Sequence, residues 1–236
     1  MKLFAYTILF FLLAIAGMQS AHAQSESGVL GAWRSVNGAD TSIMLITPGY
    51  FTVTVFNASG FQSTMGGTWE GASDNAATTT IEFNSADKSQ VGKHPDATAS
   101  FEGGQLVSSL GDQQTTWTRI DDGSGPMAGV WQITARESNG EMREMKRGAR
   151  KTIKVLTGTR FQWAAINTET GEFFGTGGGT YTFENGVYTE NIDFFSRDNS
   201  RVGASLSFKG SVEGSKWDHS GKSSKGDPIH EVWTKM

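Results

Sequence analysis

The same short motifs occur twice in this sequence, and that repetition constrains the fold more than any other feature. Four motifs recur in one order: Gly31-Ala32-Trp33 as Gly129-Val130-Trp131, Gly66-Gly67-Thr68-Trp69 as Gly178-Gly179-Thr180-Tyr181, Val91-Gly92 as Val202-Gly203, and Thr116-Trp117-Thr118-Arg119 as Val232-Trp233-Thr234-Lys235. The offsets between copies are 98, 112, 111 and 116 residues, which places an insertion of about 14 residues between the first two pairs. The chain is therefore predicted to be a tandem duplication of one module.

Both halves are rich in signals for short antiparallel strands. Thirty glycines and only four prolines suit many tight turns. Residues 43–46 and 50–56 flank Pro48-Gly49, and Asn185-Gly186 separates two alternating segments, which is a strong hairpin signal. Helical periodicity is absent, and the alternating charges at 141–147 predict a solvated loop or a short helical turn near 141–148.

Each module is predicted to close into a barrel. Seven to nine short strands in an open meander would leave exposed edges, and closure removes those edges. The sequence thus predicts an all-β chain of two antiparallel barrels, at residues 28–121 and 126–236, with an immunoglobulin-like sandwich as the alternative. The connection at 121–126 is short, so the two barrels are expected to touch.

The first 23 residues have the composition of a secretory signal peptide. One cation, Lys2, precedes an apolar run, and Ala21-His22-Ala23 fits a small-x-small cleavage site. We therefore expect cleavage after Ala23, a secreted or periplasmic location, and no transmembrane segment in the mature chain. The sequence has no cysteine, which excludes thiolate metal sites and thiol nucleophiles.

The overall charge and the few histidines limit the classes of partner. The formal net charge is −4, which argues against binding to nucleic acid or to an anionic membrane surface. His219 and His230 lack a suitably spaced third ligand, so no metal site is predicted. The glycine-rich stretch at 175–179 lacks the lysine and helix of a phosphate loop and is expected to be a tightly packed strand bend. No cofactor is predicted.

The ends of each module resemble those of the lipocalin and calycin superfamily, in which a first-strand tryptophan lies under a late basic residue. By that resemblance Trp33 would pair with Arg119, and Trp131 with Lys235, as structural clasps. The second half is also similar to a lipocalin-like family of unknown function in secreted bacterial proteins, through the following residues: Gly129-Val130-Trp131, Arg160-Phe161-Gln162-Trp163, Gly177-Gly178-Gly179-Thr180-Tyr181, Tyr188-Thr189-Glu190, Lys216-Trp217-Asp218-His219-Ser220-Gly221 and Ile229-His230-Glu231-Val232-Trp233. The resemblance implies a barrel that encloses an apolar molecule.

Two polar residues of the second module are candidates for a site. The period of two places Glu190 on the face of Tyr188, and His219 on the face of Trp217. Buried together they would need partners, and Glu190 and His219 are predicted to be partners of each other. A general acid–base unit, a polar ligand anchor and a structural ion pair stay open. The first module offers Thr78 and Ser108 at the matching positions, which suggests a role specific to the second barrel.

These observations predict a non-catalytic binding protein for a small hydrophobic or amphipathic molecule. The second barrel is the expected binding unit, and the first is expected to be a scaffold or an interaction surface. A structural module with filled barrels is the main alternative, and an enzyme that uses the Glu190–His219 pair is a third. The predicted ligand-binding residues are Phe161, Trp163, Tyr181, Tyr188, Glu190, Trp217 and His219.

Overall fold

A computed structural model of the chain describes residues 28–71 and 75–236. The predicted signal peptide, residues 1–23, lies outside the described residues. Eight strands of the first half form a closed antiparallel barrel in which each strand pairs with the next and β8 returns to β1. They are Gly31–Asn37 (β1), Asp40–Thr47 (β2), Tyr50–Asn57 (β3), Gly60–Gly71 (β4), Ala76–Asn84 (β5), Asp96–Glu102 (β6), Gln105–Leu110 (β7) and Gln113–Asp121 (β8).

The second half forms another closed antiparallel barrel, so the predicted all-β tandem is confirmed. Its strands are Gly129–Ser138 (β9), Glu141–Glu144 (β10), Arg150–Leu156 (β11), Arg160–Asn167 (β12), Glu172–Glu184 (β13), Val187–Phe195 (β14), Ser205–Glu213 (β15), Lys216–Lys222 (β16) and Pro228–Lys235 (β17). Pairing of β17 with β9 closes the barrel, and β10 adds to the other side of β9.

The segment predicted as a loop or helical turn at 141–148 begins instead with strand β10. Asn139 and Gly140 take positive φ angles of 55° and 79°, the conformation of a tight hairpin turn, and send the chain back along β9. This excursion accounts for most of the insertion between the first two repeated motifs. Two 3₁₀ turns, Lys88–Gln90 and Asn199–Arg201, lie between strands, and no described helix has the length and hydropathy to span a bilayer.

The repeated Gly-Gly-Thr motif marks the same bulge in both barrels. The register shifts between Gly66 and Gly67 in β4, and between Gly178 and Gly179 in β13. A Cβ at Gly67 or Gly179 would overlap a carbonyl oxygen of the neighbouring strand. Only glycine allows this close approach of two backbones, which explains why the motif is present in both copies.

Both predicted clasps between the first and last strands have the expected geometry. Arg119 Cζ lies 4.0 Å from the centroid of the buried Trp33 ring. Lys235 Nζ lies 5.5 Å from the centroid of Trp131. Each indole N–H also donates to a backbone carbonyl four residues upstream, in Val29 or Met127. These contacts close one end of each barrel.

The two barrels pack against each other through equivalent outer faces. Strand β2 contacts β11, while β4 contacts β14 and β5 contacts β13, the reciprocal pattern of a two-fold dimer. Phe61 and Phe173, which are opposite Phe56 and Ile166 in their hairpins, stack with ring centroids 6.3 Å apart. One apolar cluster spans the interface: Ala32, Ile43, Leu45, Tyr50, Phe83, Val130, Ile153, Val155, Ala164 and Ile166.

Asp121, at the end of β8, ties the connection between the barrels to the second barrel. Its carboxylate accepts hydrogen bonds from the Thr157 hydroxyl at 2.8 Å, and from the Thr159 amide and hydroxyl at 2.9 and 2.7 Å. It also accepts from the amides of Ala32 and Gly123. Burial alone would raise the pKa of Asp121, but these hydrogen bonds outweigh burial and lower it.

Candidate functional site

Four of the predicted ligand-binding residues pack together at the clasped end of the second barrel. The rings of Tyr188 and Trp217 are 4.8 Å apart, those of Tyr181 and Tyr188 are 5.5 Å apart, and Phe161 lies 6.4 Å from Tyr188. All four side chains are buried in the core of this barrel. They form an aromatic floor beneath the open interior and are not among the residues that line it.

The remaining three candidates, Trp163, Glu190 and His219, line a cavity of about 1170 Å³ in the second barrel. Strand alternation places each of them inward, as the sequence predicted. The cavity opens at the end where the connections after β10, β14 and β16 meet. It contains apolar residues as well, namely Ile133, Ile192, Leu206, Phe208, Ile229 and Trp233.

The buried partner of Glu190 is Lys154, so the predicted pairing of Glu190 with His219 is wrong. Lys154 Nζ donates to Glu190 Oε1 at 2.7 Å, and the two side chains are only 5% and 6% exposed. Lys154 was not singled out from the sequence. Its neighbours Ile153 and Val155 are apolar, and apolar strand residues are ordinarily expected to face the interior of a barrel. Those two residues face outward into the interface with the first barrel, which leaves Lys154 inside.

Aromatic rings surround the ammonium group of Lys154. Its Nζ lies 5.0 to 5.8 Å from the ring centroids of four residues: Phe161, Tyr188, Trp217 and Trp233. Ring faces attract a cation most strongly where water is excluded. Together with Glu190, they balance the loss of hydration that a buried ammonium suffers.

His219 is buried with both ring nitrogens unpartnered within the described residues. Its ring lies 4.2 Å from that of Phe208, and its Nδ1 is 3.7 Å from Glu231 Oε2, too far for a hydrogen bond. Burial, and then the positive charge of Lys154, lower the pKa of His219 from 6.5 to about 2. The imidazole is therefore neutral, with an unpaired donor and an unpaired acceptor buried in a residue that lines the cavity.

Glu231 is a second cavity residue that the sequence analysis did not single out. It accepts from Arg136 Nη2 at 2.5 Å and from the Trp233 indole at 3.1 Å. The sequence does indicate that Glu231 faces inward, because it lies two residues before the inward Trp233 and residues two apart on a strand share a face. Like Glu190, this buried carboxylate has a cationic partner.

The first barrel also encloses a cavity, of about 550 Å³. Its lining is mainly apolar: Val29, Met44, Ile46, Phe51, Val53, Met65, Trp69, Ile81, Leu110 and Trp117 contribute. Asp87 is the one charged residue among the described residues that line it. The first barrel, which the sequence suggested to be a scaffold or an interaction surface, thus encloses a space that its apolar side chains do not fill.

Strand register pairs the polar residues of the second cavity with neutral residues of the first. Lys154 lies opposite Trp131 as Met44 lies opposite Trp33, so Met44 is its equivalent. Tyr181 and Trp69 are equivalent in the repeat, and they lie opposite Glu190 and Thr79 respectively. The equivalent of Glu190 is therefore Thr79 and not the expected Thr78. The remaining equivalents are Ser108 for His219, as predicted, and Thr115 for Glu231. All eight residues line their cavities.

His230 lies apart from His219, on the outer face of β17. Its Nδ1 is 3.0 Å from Glu137 Oε2, and its Nε2 is 3.1 Å from Asp218 Oδ2. Hydrogen bonding to Asp218, and then to Glu137, raises the pKa of His230. Within residues 28–71 and 75–236, no group of three or more candidate ligands is arranged to hold a metal ion.

No protein-family model matches the chain, and no curated protein is significantly similar to it. The inferences about function therefore rest on the two cavities.

Proposed function

We propose that this chain is an exported, lipocalin-like binding protein that encloses small apolar or amphipathic molecules inside its barrels. The observation that carries the proposal is the cavity of about 550 Å³ in the first barrel, with its largely apolar lining. Ligand pockets have volumes of roughly 300–1,000 Å³, an apolar lining and a few fixed polar groups.

The polar groups of the first cavity support recognition of an uncharged molecule. Thr79 donates its hydroxyl to the Pro95 carbonyl at 2.6 Å, and the Ser108 hydroxyl accepts from the Trp117 indole at 2.9 Å. Both side chains are held in place by these bonds and retain hydrogen-bonding capacity toward the cavity. A neutral ligand with one or two polar atoms would lose little hydration on entering.

Two alternatives fit the geometry less well. A purely structural module would be expected to fill its barrels to the density of a protein core, and both barrels have an open interior. An enzyme that uses Glu190 and His219 for acid–base catalysis would need a proton acceptor with a pKa near the working pH. His219 has a pKa of about 2, and Glu190 is paired with Lys154.

The test is a fluorescence titration with phenylnaphthylamine, an uncharged dye that brightens in apolar surroundings. We expect saturable binding that is abolished by Met65→Trp, because the indole would occupy the first cavity. Val36→Trp is the control, since Val36 is 56% exposed and adds an indole on the surface. Absence of saturable binding, or equal binding by both variants, would overturn the proposal for the first barrel.

A further inference from the structure

The second cavity differs from the first in its charge. Among the described residues it is lined by eight lysine and arginine side chains and by only four carboxylates, although the whole chain has 20 basic and 24 acidic residues. The basic residues are Arg136, Lys146, Arg150, Lys151, Lys154, Arg197, Arg201 and Lys225; the acidic ones are Glu190, Asp198, Asp227 and Glu231. A cavity with such an excess of positive charge attracts anions.

The excess of positive charge lies at the opening and not in the depth of the cavity. In the depth, Lys154 is paired with Glu190, and the buried Glu231 is paired with Arg136, whose side chain is 56% exposed. An anion that displaced Glu190 from Lys154 would leave a buried carboxylate without its partner, which is costly. At the opening, by contrast, four exposed cations have no carboxylate partner within the described residues: Lys146, Arg150, Arg197 and Lys225.

Two of these cations, Arg150 and Arg197, contact the same residue, Phe174, at the edge of the cavity. Arg150 Cζ lies 4.7 Å from the centroid of the Phe174 ring, and Arg197 Nε donates to the Phe174 carbonyl at 2.7 Å. Arg197 packs so closely over Gly175 that a Cβ there would clash with its guanidinium group. The local backbone therefore positions two guanidinium groups at the edge of the cavity, each with N–H donors that remain available.

The first barrel has no counterpart of this pair. By the strand register, Arg150 corresponds to Asp40 and Phe174 to Gln62. The Thr64 amide donates to Ser85 Oγ, and the Thr176 amide donates to Ser196 Oγ. Ser85 is therefore equivalent to Ser196, and the next residue, Ala86, is equivalent to Arg197. The closed barrel thus does not require the two arginines, which favours a role in ligand recognition.

We propose that the second barrel binds an amphipathic anion. Its anionic head group would lie between Arg150 and Arg197, and its hydrocarbon part would pack against the apolar residues of the cavity: Ile133, Ile192, Leu206, Phe208 and Ile229. Carboxylate, sulfate and phosphate head groups share the planar or tetrahedral oxygen acceptors that guanidinium groups recognise. This proposal rests on the proposed function, because it assigns a ligand class to one of the two barrel interiors.

Isothermal titration calorimetry with dodecanoate is the test, done in the Met65→Trp background so that the first cavity is filled. Dodecanol and dodecyltrimethylammonium are the neutral and cationic probes of the same chain length, and inorganic phosphate tests whether an anion alone is sufficient. We expect dodecanoate to bind about tenfold more tightly than dodecanol, as charge-assisted hydrogen bonds predict. Phosphate and the cationic probe are expected to bind more weakly still.

The double variant Arg150→Gln/Arg197→Gln is expected to remove this preference for dodecanoate over dodecanol. Arg143→Gln is the control, because Arg143 lies on the exposed strand β10, away from the cavity. Ala165→Trp, which fills the second cavity, is expected to abolish binding of every probe.

The outcomes separate the two proposals. Equal affinity for dodecanoate and dodecanol, or an unchanged preference in the double arginine variant, would overturn the anionic assignment and leave the binding function standing. Phosphate binding as tight as dodecanoate binding would reassign the site to a free anion, which also overturns the proposal. Failure of all probes here, together with failure of the dye titration, would reject binding by either barrel.

Discussion

Lys154 and Glu190 form a 2.7 Å ion pair inside the second barrel, at positions where the first barrel has Met44 and Thr79. The duplicated fold therefore accepts either a charged or a neutral pair at one location. Because a closed barrel forms with both, the ion pair is a feature of this cavity and not a requirement of the architecture.

Replacing one member of this pair is predicted to be far more damaging than replacing both. Lys154→Met leaves Glu190 buried without its cation and is expected to lower the free energy of unfolding by about 3–5 kcal/mol. The double variant Lys154→Met/Glu190→Thr reproduces the residues of the first barrel and is expected to recover most of that loss. Chemical denaturation of the wild type, Lys154→Met, Glu190→Thr and the double variant completes the comparison. Additive losses in the double variant would show that the two side chains do not act as a pair.

Asp121 is predicted to stabilise the association of the two barrels. Asp121→Ala removes hydrogen bonds to Thr157, Thr159 and nearby amides, and we expect a loss of about 2 kcal/mol after allowing for its partial exposure. Asp122→Ala is the control, because Asp122 is exposed and bonds only to its own loop. Thermal unfolding of both variants checks this, and an equal shift in melting temperature would contradict it.

Asp121 is also predicted to make the free energy of unfolding depend on pH under acidic conditions. Because the pKa of Asp121 is lower in the folded protein than the ordinary 3.8, its contribution is complete above pH 3.8 and is lost as the pH falls through the folded value. The difference in stability between wild type and Asp121→Asn should therefore shrink at the lowest pH values. A difference that grows on acidification would have the wrong sign.

His219 is predicted to lower the free energy of unfolding as the pH falls, starting at a higher pH than for Asp121. Its folded pKa of about 2 lies below the unfolded value of 6.5, so the unfolded state binds more protons between these values. Stability should therefore fall as the pH drops below 6.5, by up to about 1.4 kcal/mol per pH unit from this group. His219→Phe should flatten this dependence, whereas His94→Gln, at an exposed position, should not. Parallel pH profiles of His219→Phe and wild type would contradict the assignment.

The clasps at the barrel ends are predicted to differ in strength. Arg119 Cζ lies 4.0 Å from the Trp33 ring and Arg119 also donates to the Leu30 carbonyl, whereas Lys235 Nζ lies 5.5 Å from Trp131. We expect Arg119→Gln to cost about 1 kcal/mol of stability, and Lys235→Gln to cost about half as much. Urea denaturation measures both, and a larger loss for Lys235→Gln would reverse the predicted order.

The sequence predicted the barrels well because their determinants are local and repeated. Gly67 and Gly179 mark the bulge at which a side chain would overlap the neighbouring strand, and such positions are visible as glycines in both copies. The positive φ angles of Asn185 and Gly186, 51° and 74°, likewise follow from the residue types of the hairpin turn.

The candidate site was predicted only in part, because it depends on how the barrels meet. Alternation placed Glu190 and His219 inside correctly, but it could not identify the partner of Glu190. Ile153 and Val155 are buried on the outside of their own barrel, so the usual orientation of apolar strand residues toward the interior is reversed around Lys154. An interface between modules inverts the usual pattern, and a single sequence contains no direct signal for it.

Native mass spectrometry of the mature chain with phenylnaphthylamine and dodecanoate together shows whether the two barrels bind separate ligands. We expect a ternary complex with one molecule of each probe, because the neutral and the cationic cavities are separate. Met65→Trp should lose only the dye, and Ala165→Trp only the anion. Detection of the bare chain alone, or of complexes that never contain both probes, would contradict binding of separate ligands by the two barrels.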